Sequence, residues 1–213
     1  MSALLAGGTG LVGRELARQW RGSGRLHLLV RRALAEVAPQ HTVHVVDFAA
    51  LPPLPHADEA YCCLGTTIKV AGSQAAFRAV DHDAVLAFAR AALAAGVRRL
   101  AVVSALGASA KSSNFYSRVK GETEDELARL GFTRLVIARP SLLTGDRAAT
   151  GQPTRPAEVV TLALLQPIAG LIPRAYRPIE AARVARAMLR ALAEPGSGVH
   201  VLDSGRMQEL GAA

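Results

Sequence analysis

Short apolar runs alternate with longer amphipathic segments along this chain, the rhythm of parallel strands joined by helices. The strand candidates are residues 3–6, 25–30, 42–46, 59–63, 98–103 and 134–138. Val12, Leu16 and Trp20 fall at i, i+4 and i+8, which predicts a helix directly after the first strand. Residues 74–95 predict a long alanine-rich helix that stops at Gly96, and residues 114–130 a second that stops at Gly131. Beyond Pro140 the pattern changes. A loop is expected over 144–156, then an apolar segment to Leu171 and a helix near 179–193 with Val184, Met188 and Leu192 on one face. A last strand runs from Val199 to Leu202. The expected fold is α/β: a Rossmann-type doubly wound, mostly parallel sheet in a single domain spanning 1–213. Residues from about 141 onward contribute a small substrate-side lobe.

Composition narrows the classes. At 213 residues, half of them hydrophobic, the chain can bury one sizeable core but not two. It contains no apolar run of about 18 residues, so no membrane span is expected. The first strand begins almost at once and leaves no room for a signal peptide. The two cysteines, Cys62 and Cys63, are adjacent and build no disulfide framework. Together these features predict a protein of the reducing cytoplasm. The net charge of +8 comes mostly from arginines scattered along the chain, and aromatics make up only 4%. Nucleic-acid binding calls for clustered basic residues, so an anionic small molecule is the better partner for this charge. The six histidines lack the spacing of metal ligands, and no metal is expected.

The first chemical signal follows the first strand. Gly7-Gly8-Thr9-Gly10-Leu11-Val12-Gly13 places glycines at three-residue intervals where a helix opens. In a dinucleotide site Gly7 permits the tight turn and Gly10 the close approach of backbone to a pyrophosphate. Gly13 lets helix pack on strand, while Thr9, Leu11 and Val12 offer the N–H groups of the helix start. At the end of the second strand, where NAD-specific folds carry an acid, this chain has Arg31 and Arg32. Guanidinium groups pair with a 2′-phosphate in bidentate fashion, which favours NADP(H) over NAD(H); the alternative is two solvated surface arginines. Asp47, after the third strand, suits an adenine amino group or a cap on the following loop.

The second signal is Tyr116-Ser117-Arg118-Val119-Lys120, with Ser104 at the end of a strand upstream. On a helix i and i+4 share a face, so the Lys120 ammonium can favour the Tyr116 phenolate and make Tyr116 an acid or base near neutrality. Ser104 can donate to a substrate carbonyl or alkoxide. The plain alternative is a packed tyrosine beside a surface lysine. The acidic run Glu122 to Glu126 reads as the solvated face of this helix, and the two cysteines as small core residues.

These residues resemble the short-chain dehydrogenase/reductase superfamily in its extended or atypical branch. Three stretches resemble more narrowly the oxidoreductases related to the Tat-interacting metastasis-suppressor proteins. They are Tyr61-Cys62-Cys63-Leu64-Gly65-Thr66-Thr67, Val103-Ser104-Ala105-Leu106-Gly107-Ala108, and Lys111-Ser112-Ser113-Asn114-Phe115-Tyr116 running on to Lys120-Gly121-Glu122. The resemblance implies that Leu64, Gly65 and Thr66 line the cofactor and that Arg139, Pro140 and Ser141 flank the nicotinamide. It also implies that Tyr116 and Lys120 touch the cofactor as well as the substrate. Many extended members carry Asn in the Val80-Asp81-His82 region; this chain has Asp81, so that residue's proton-relay role does not carry over. The function expected is an NADP(H)-dependent oxidoreductase of a small carbonyl or alcohol. Two alternatives stay open: a non-catalytic NADP(H) sensor, and an epimerase- or dehydratase-like enzyme that retains its cofactor. A homodimer or a docked protein partner is compatible with each.

Overall fold

Ala3-Leu4-Leu5-Ala6 is apolar at every position, and in the computed structural model it forms strand β1 (Ala3–Ala6), with all four residues fully buried. A strand covered on both faces must read this way. The structure describes residues 1–145 and 173–212. Around β1 lie β2 (Leu26–Val30), β3 (His41–Val45), β4 (Glu59–Cys62), β5 (Arg99–Val103), β6 (Arg134–Arg139) and, near the chain's end, β9 (Gly198–Asp203). Among the described residues these seven strands form one sheet in the order β3-β2-β1-β4-β5-β6-β9, every pair parallel. A second, two-stranded ladder pairs β7 (Leu143–Thr144) with β8 (Ile179–Glu180).

Side chains alternate between the two faces. Ala3 and Leu5 pack with Val12 and Leu16 of helix α1 (Leu11–Gln19) and with Val184, Met188 and Leu192 of helix α6 (Ala181–Ala193). Leu4 and Ala6 pack on the opposite face with Leu86, Phe88 and Ala89 of α4 (Val85–Ala94) and with Leu127 of α5 (Phe115–Arg129). Helices on both faces make this the doubly wound Rossmann-type architecture that the pattern predicted. The described part of the expected substrate-side region joins the main sheet through β9, next to β6. The expected loop beyond Gly145 and the apolar segment to Leu171 lie outside the described residues. No helix among the described residues is long and apolar enough to cross a membrane.

Buried polar groups are paired where they anchor elements. Trp20, just past α1, donates its indole N–H to Glu59 (3.2 Å), which also accepts from the Tyr61 hydroxyl (2.9 Å). Buried Arg134 donates to the carbonyls of Ala191 (3.0 Å) and Pro195 (3.1 Å) and so satisfies the end of α6 from the sheet.

The helix expected over 74–95 is not continuous. It consists of α3 (Gln74–Arg78), a π turn (Ala79–Ala84) and α4. The wider i→i+5 spacing shifts the helical phase, and such turns recur at functional sites. A short α2 (Ile68–Ala71) precedes it, and α7 (Ser204–Leu210) follows β9.

The order of strands reverses between β1 and β4, which opens a crevice at their carboxyl ends. Two glycines set the loop there. Gly7 has φ +80, and a Cβ on it would lie 2.4 Å from the Cys63 carbonyl; one on Gly13 would lie 2.1 Å from the Gly7 oxygen. Both obstacles are backbone, which cannot swing away. Gly10 is different, since its nearest neighbour would be the Gly7 oxygen at 3.4 Å. In chemical denaturation Gly13→Ala should therefore cost about 1–3 kcal/mol by overpacking, whereas Gly10→Ala should leave stability within about 0.5 kcal/mol. Equal losses for the two variants would contradict this packing.

Candidate active site

The crevice holds a cavity of about 390 Å³. Five chain segments meet there: Gly10-Leu11-Val12 at the start of α1, Cys63 to Thr67 after β4, Val103-Ser104-Ala105 after β5, Tyr116 and Lys120 on α5, and Pro140 to Leu143 after β6. Val70 and Asp81 complete the described lining. The structure thus brings Ser104, Tyr116 and Lys120 to the same space as the glycine loop.

Local sequence explains how α5 presents them. Asn114, two residues before Tyr116, caps the helix by accepting from the Ser117 N–H (3.1 Å). Gly121 lets the helix press on the loop after β5, because a Cβ there would lie 2.1 Å from the Ala110 nitrogen. The Tyr116 ring packs against Phe77 with centroids 5.2 Å apart.

Lys120 is buried, and its Nζ lies 2.7 Å from Asp81 Oδ1. Burial disfavours the ammonium, but the Asp81 carboxylate, with Tyr116 adding, outweighs it and holds the lysine above its ordinary pKa. Asp81 is fully buried in the π turn; its other oxygen accepts from the Thr66 N–H (2.8 Å), and its carbonyl accepts from Thr123 Oγ1 (3.1 Å). One carboxylate therefore ties α5 to the loop after β4.

A second ion pair lies one helical turn on. Glu124 is only 5% exposed, so the solvated face expected for residues 122–126 is corrected at its centre. Its carboxylate accepts from Ser104 Oγ and, from two directions, from the Arg139 guanidinium. Glu124 raises the pKa of Arg139 in turn. A water-sized void of about 10 Å³ lies between the two pairs, lined by Asp81, Ser104, Lys120, Thr123 and Glu124 among others.

Other expected residues fall as follows. Gly10, Leu11, Val12, Leu64, Gly65, Thr66, Pro140 and Ser141 line the cavity, while Gly7 and Gly13 shape its floor and Thr9 is exposed at the loop tip. Arg139 does not line it: its side chain is spent on Glu124. Arg31 and Arg32 are exposed beyond the end of β2, outside the lining. Asp47 accepts from the Ala49 N–H (2.9 Å), the loop cap left open by the sequence. Cys62 is a core residue whose thiol burial pushes up to about 12; Cys63 is raised too, also by burial. Asp81 and Glu124 were not among the expected site residues. Glu124 could have been found, since it continues the Tyr116, Lys120 spacing at i+8.

No protein-family model matches the chain. Among curated proteins it is 34% identical to Protein HTATIP2 of Rattus norvegicus over 99% of this chain and 89% of that one. The chain belongs to the HTATIP2 family. Protein fmp52, mitochondrial, of Aspergillus niger is 32% identical over 93% of this chain and 87% of its own length. Among solved structures, MoeE5 in complex with UDP-glucose and NAD matches with a TM-score of 0.71 and 17% identity, covering 99% of this chain and 79% of that one. That likeness shows the fold, and the family agrees with the resemblance read from the motifs. The expectation of a cytoplasmic protein is overturned: several fungal members of the family are named mitochondrial.

The Asp81–Lys120 pair generates a stability test. Removing one partner of a buried pair strands the other charge, a loss of about 3–5 kcal/mol, whereas removing both relieves it. Asp81→Leu should fall in that range, and Asp81→Leu combined with Lys120→Met should be more stable than Asp81→Leu alone. Additive losses in denaturant titrations would show that the two groups do not depend on each other.

Proposed function

We propose that the chain is an NADP(H)-dependent oxidoreductase acting on a small carbonyl compound or alcohol. The observation that carries this reading is the convergence of the glycine loop with Ser104, Tyr116 and Lys120 on one cavity. The residues fit a dinucleotide. Gly10 stands at the start of α1 with no side chain of its own and lines the cavity, so a pyrophosphate can approach the first N–H groups of the helix. Leu64, Gly65, Thr66, Pro140 and Ser141 would hold the nicotinamide end, and Lys120 its ribose. Arg31 and Arg32, exposed at the end of β2, would meet a 2′-phosphate, and the complex of MoeE5 with NAD supports a nicotinamide nucleotide in this fold.

When bound, the cofactor supplies or accepts a hydride. The chain's own residues handle the proton. In reduction Tyr116 gives its phenolic proton to the substrate oxygen as the carbonyl carbon gains the hydride, and the resulting phenolate is stabilised by the Lys120 ammonium. In oxidation Tyr116 takes the hydroxyl proton back. Asp81 keeps Lys120 charged and aimed, and its Thr66 contact links the lysine to the loop that would hold the nicotinamide.

Calorimetric titration should show NADPH binding more tightly than NADH. Replacing Arg31 and Arg32 with alanine should cost about 1.5–3 kcal/mol for NADPH alone. Equal affinities in the unmodified protein would refute the 2′-phosphate assignment.

Tyr116→Phe should lower turnover by about 10²–10⁴-fold with stability and NADPH affinity unchanged. Full activity in that variant would place the chemistry elsewhere. Tight NADPH binding without turnover of any carbonyl compound or alcohol would favour the sensor reading.

A further inference from the structure

Ser104 was expected to donate a hydrogen bond to a substrate oxygen, but its partner in the structure is Glu124. A serine hydroxyl has one proton and two lone pairs, whereas an ionised carboxylate is an acceptor only. Glu124 is buried and faces the Arg139 guanidinium, with Nε 3.1 Å from each of its oxygens and Nη2 on Oε2. The proton in the Ser104–Glu124 bond is therefore the serine's. Ser104 also lines the cavity, and what remains to face a ligand there is the acceptor side of Oγ.

We propose that Glu124, held by Arg139, sets the polarity of Ser104, so that Oγ faces the cavity as an acceptor and a bound hydroxyl group, which can donate to it, is favoured there over a carbonyl. This rests on the carbonyl or alcohol reading above and deepens it. A carbonyl oxygen offers no proton. To bond with it, Ser104 would have to leave a carboxylate for a neutral acceptor, and hydrogen bonds to ionised groups are about twice as strong as neutral ones. Glu124 touches no substrate in this arrangement. It is a positioning residue that acts through Ser104, and Arg139 is the counter-charge that keeps it an acceptor. All three groups come from different elements: Ser104 follows β5, Glu124 stands on α5 and Arg139 ends β6.

The first test needs no ligand. Neutron diffraction from deuterium-exchanged crystals of the full chain should place a deuteron on Ser104 Oγ directed at Glu124, with the carboxylate bare. A deuteron on Glu124, or one on Ser104 aimed into the cavity, would overturn the proposal. The second test compares cyclohexanol on the NADPH-saturated protein with cyclohexanone on the NADP⁺-saturated protein, combinations in which no reaction runs. Glu124→Gln can donate its amide N–H to Ser104 Oγ and release the serine proton to the cavity. It should weaken cyclohexanol and tighten cyclohexanone, moving the ratio of the two Kd values by about tenfold. A purely structural Glu124 would weaken both equally and leave the ratio unchanged, which would sink the idea. If neither probe binds the unmodified protein, the carbonyl or alcohol reading fails, while the deuteron position still decides the polarity of Ser104.

Discussion

Lys120 and Glu124 stand one turn apart on the same face of α5, and both are almost fully buried. Neither charge is tolerable there alone, because a buried ion is stable only when matched and hydrogen-bonded. The fold meets this demand with two side chains from distant elements, Asp81 from the π turn and Arg139 from the end of β6. The rest of the site depends on these matches. Asp81 reaches on to the loop after β4, and Glu124 reaches on to Ser104, so the pairs tie four other segments to α5. In low dielectric such links are directional and hold side chains to single geometries.

The glycine loop works by the opposite means, through space rather than charge. Gly7 and Gly13 allow backbone to lie against backbone where no side chain would fit, which pins the start of α1 to the end of β1. Gly10 keeps its opening toward the cavity. A rigid floor and an accessible helix N-terminus together provide a place for an anion without a charged side chain at the contact. Both devices meet where the strand order reverses, and that topology explains why residues more than a hundred positions apart share one crevice.

Much of this was legible in the chain itself. The strand–glycine loop–helix unit around Gly7 to Gly13 and the Tyr116–Lys120 face of α5 are local patterns, written at spacings of three and four residues. The family resemblance rested on contiguous stretches and held against relatives matched over nearly the whole chain. Reading failed where local pattern and environment part company. Glu122 to Glu126 looks like a solvated acidic run, yet Glu124 lies on the inward face two turns after Tyr116. The pairing of Arg139 with that buried carboxylate has no local signal either, since the two residues stand fifteen positions apart on different elements. The single helix expected over 74–95 hides a π turn, because a one-residue widening leaves the composition untouched.

The sequence by itself determined the strand and helix rhythm, the parallel sheet covered on both faces, the glycine turn and the shared face of Tyr116 and Lys120. Each follows from apolar periodicity, from steric freedom at glycine or from the 3.6-residue repeat, which act over a few neighbouring residues. Only the tertiary structure decided that Asp81 neutralises Lys120, that Arg139 turns to Glu124 rather than to the cavity, and that the Ser104 proton points at a carboxylate. Those choices depend on which charges burial leaves without water. Burial is settled by how sheet order and helix packing bring distant segments together, and no local spacing encodes that.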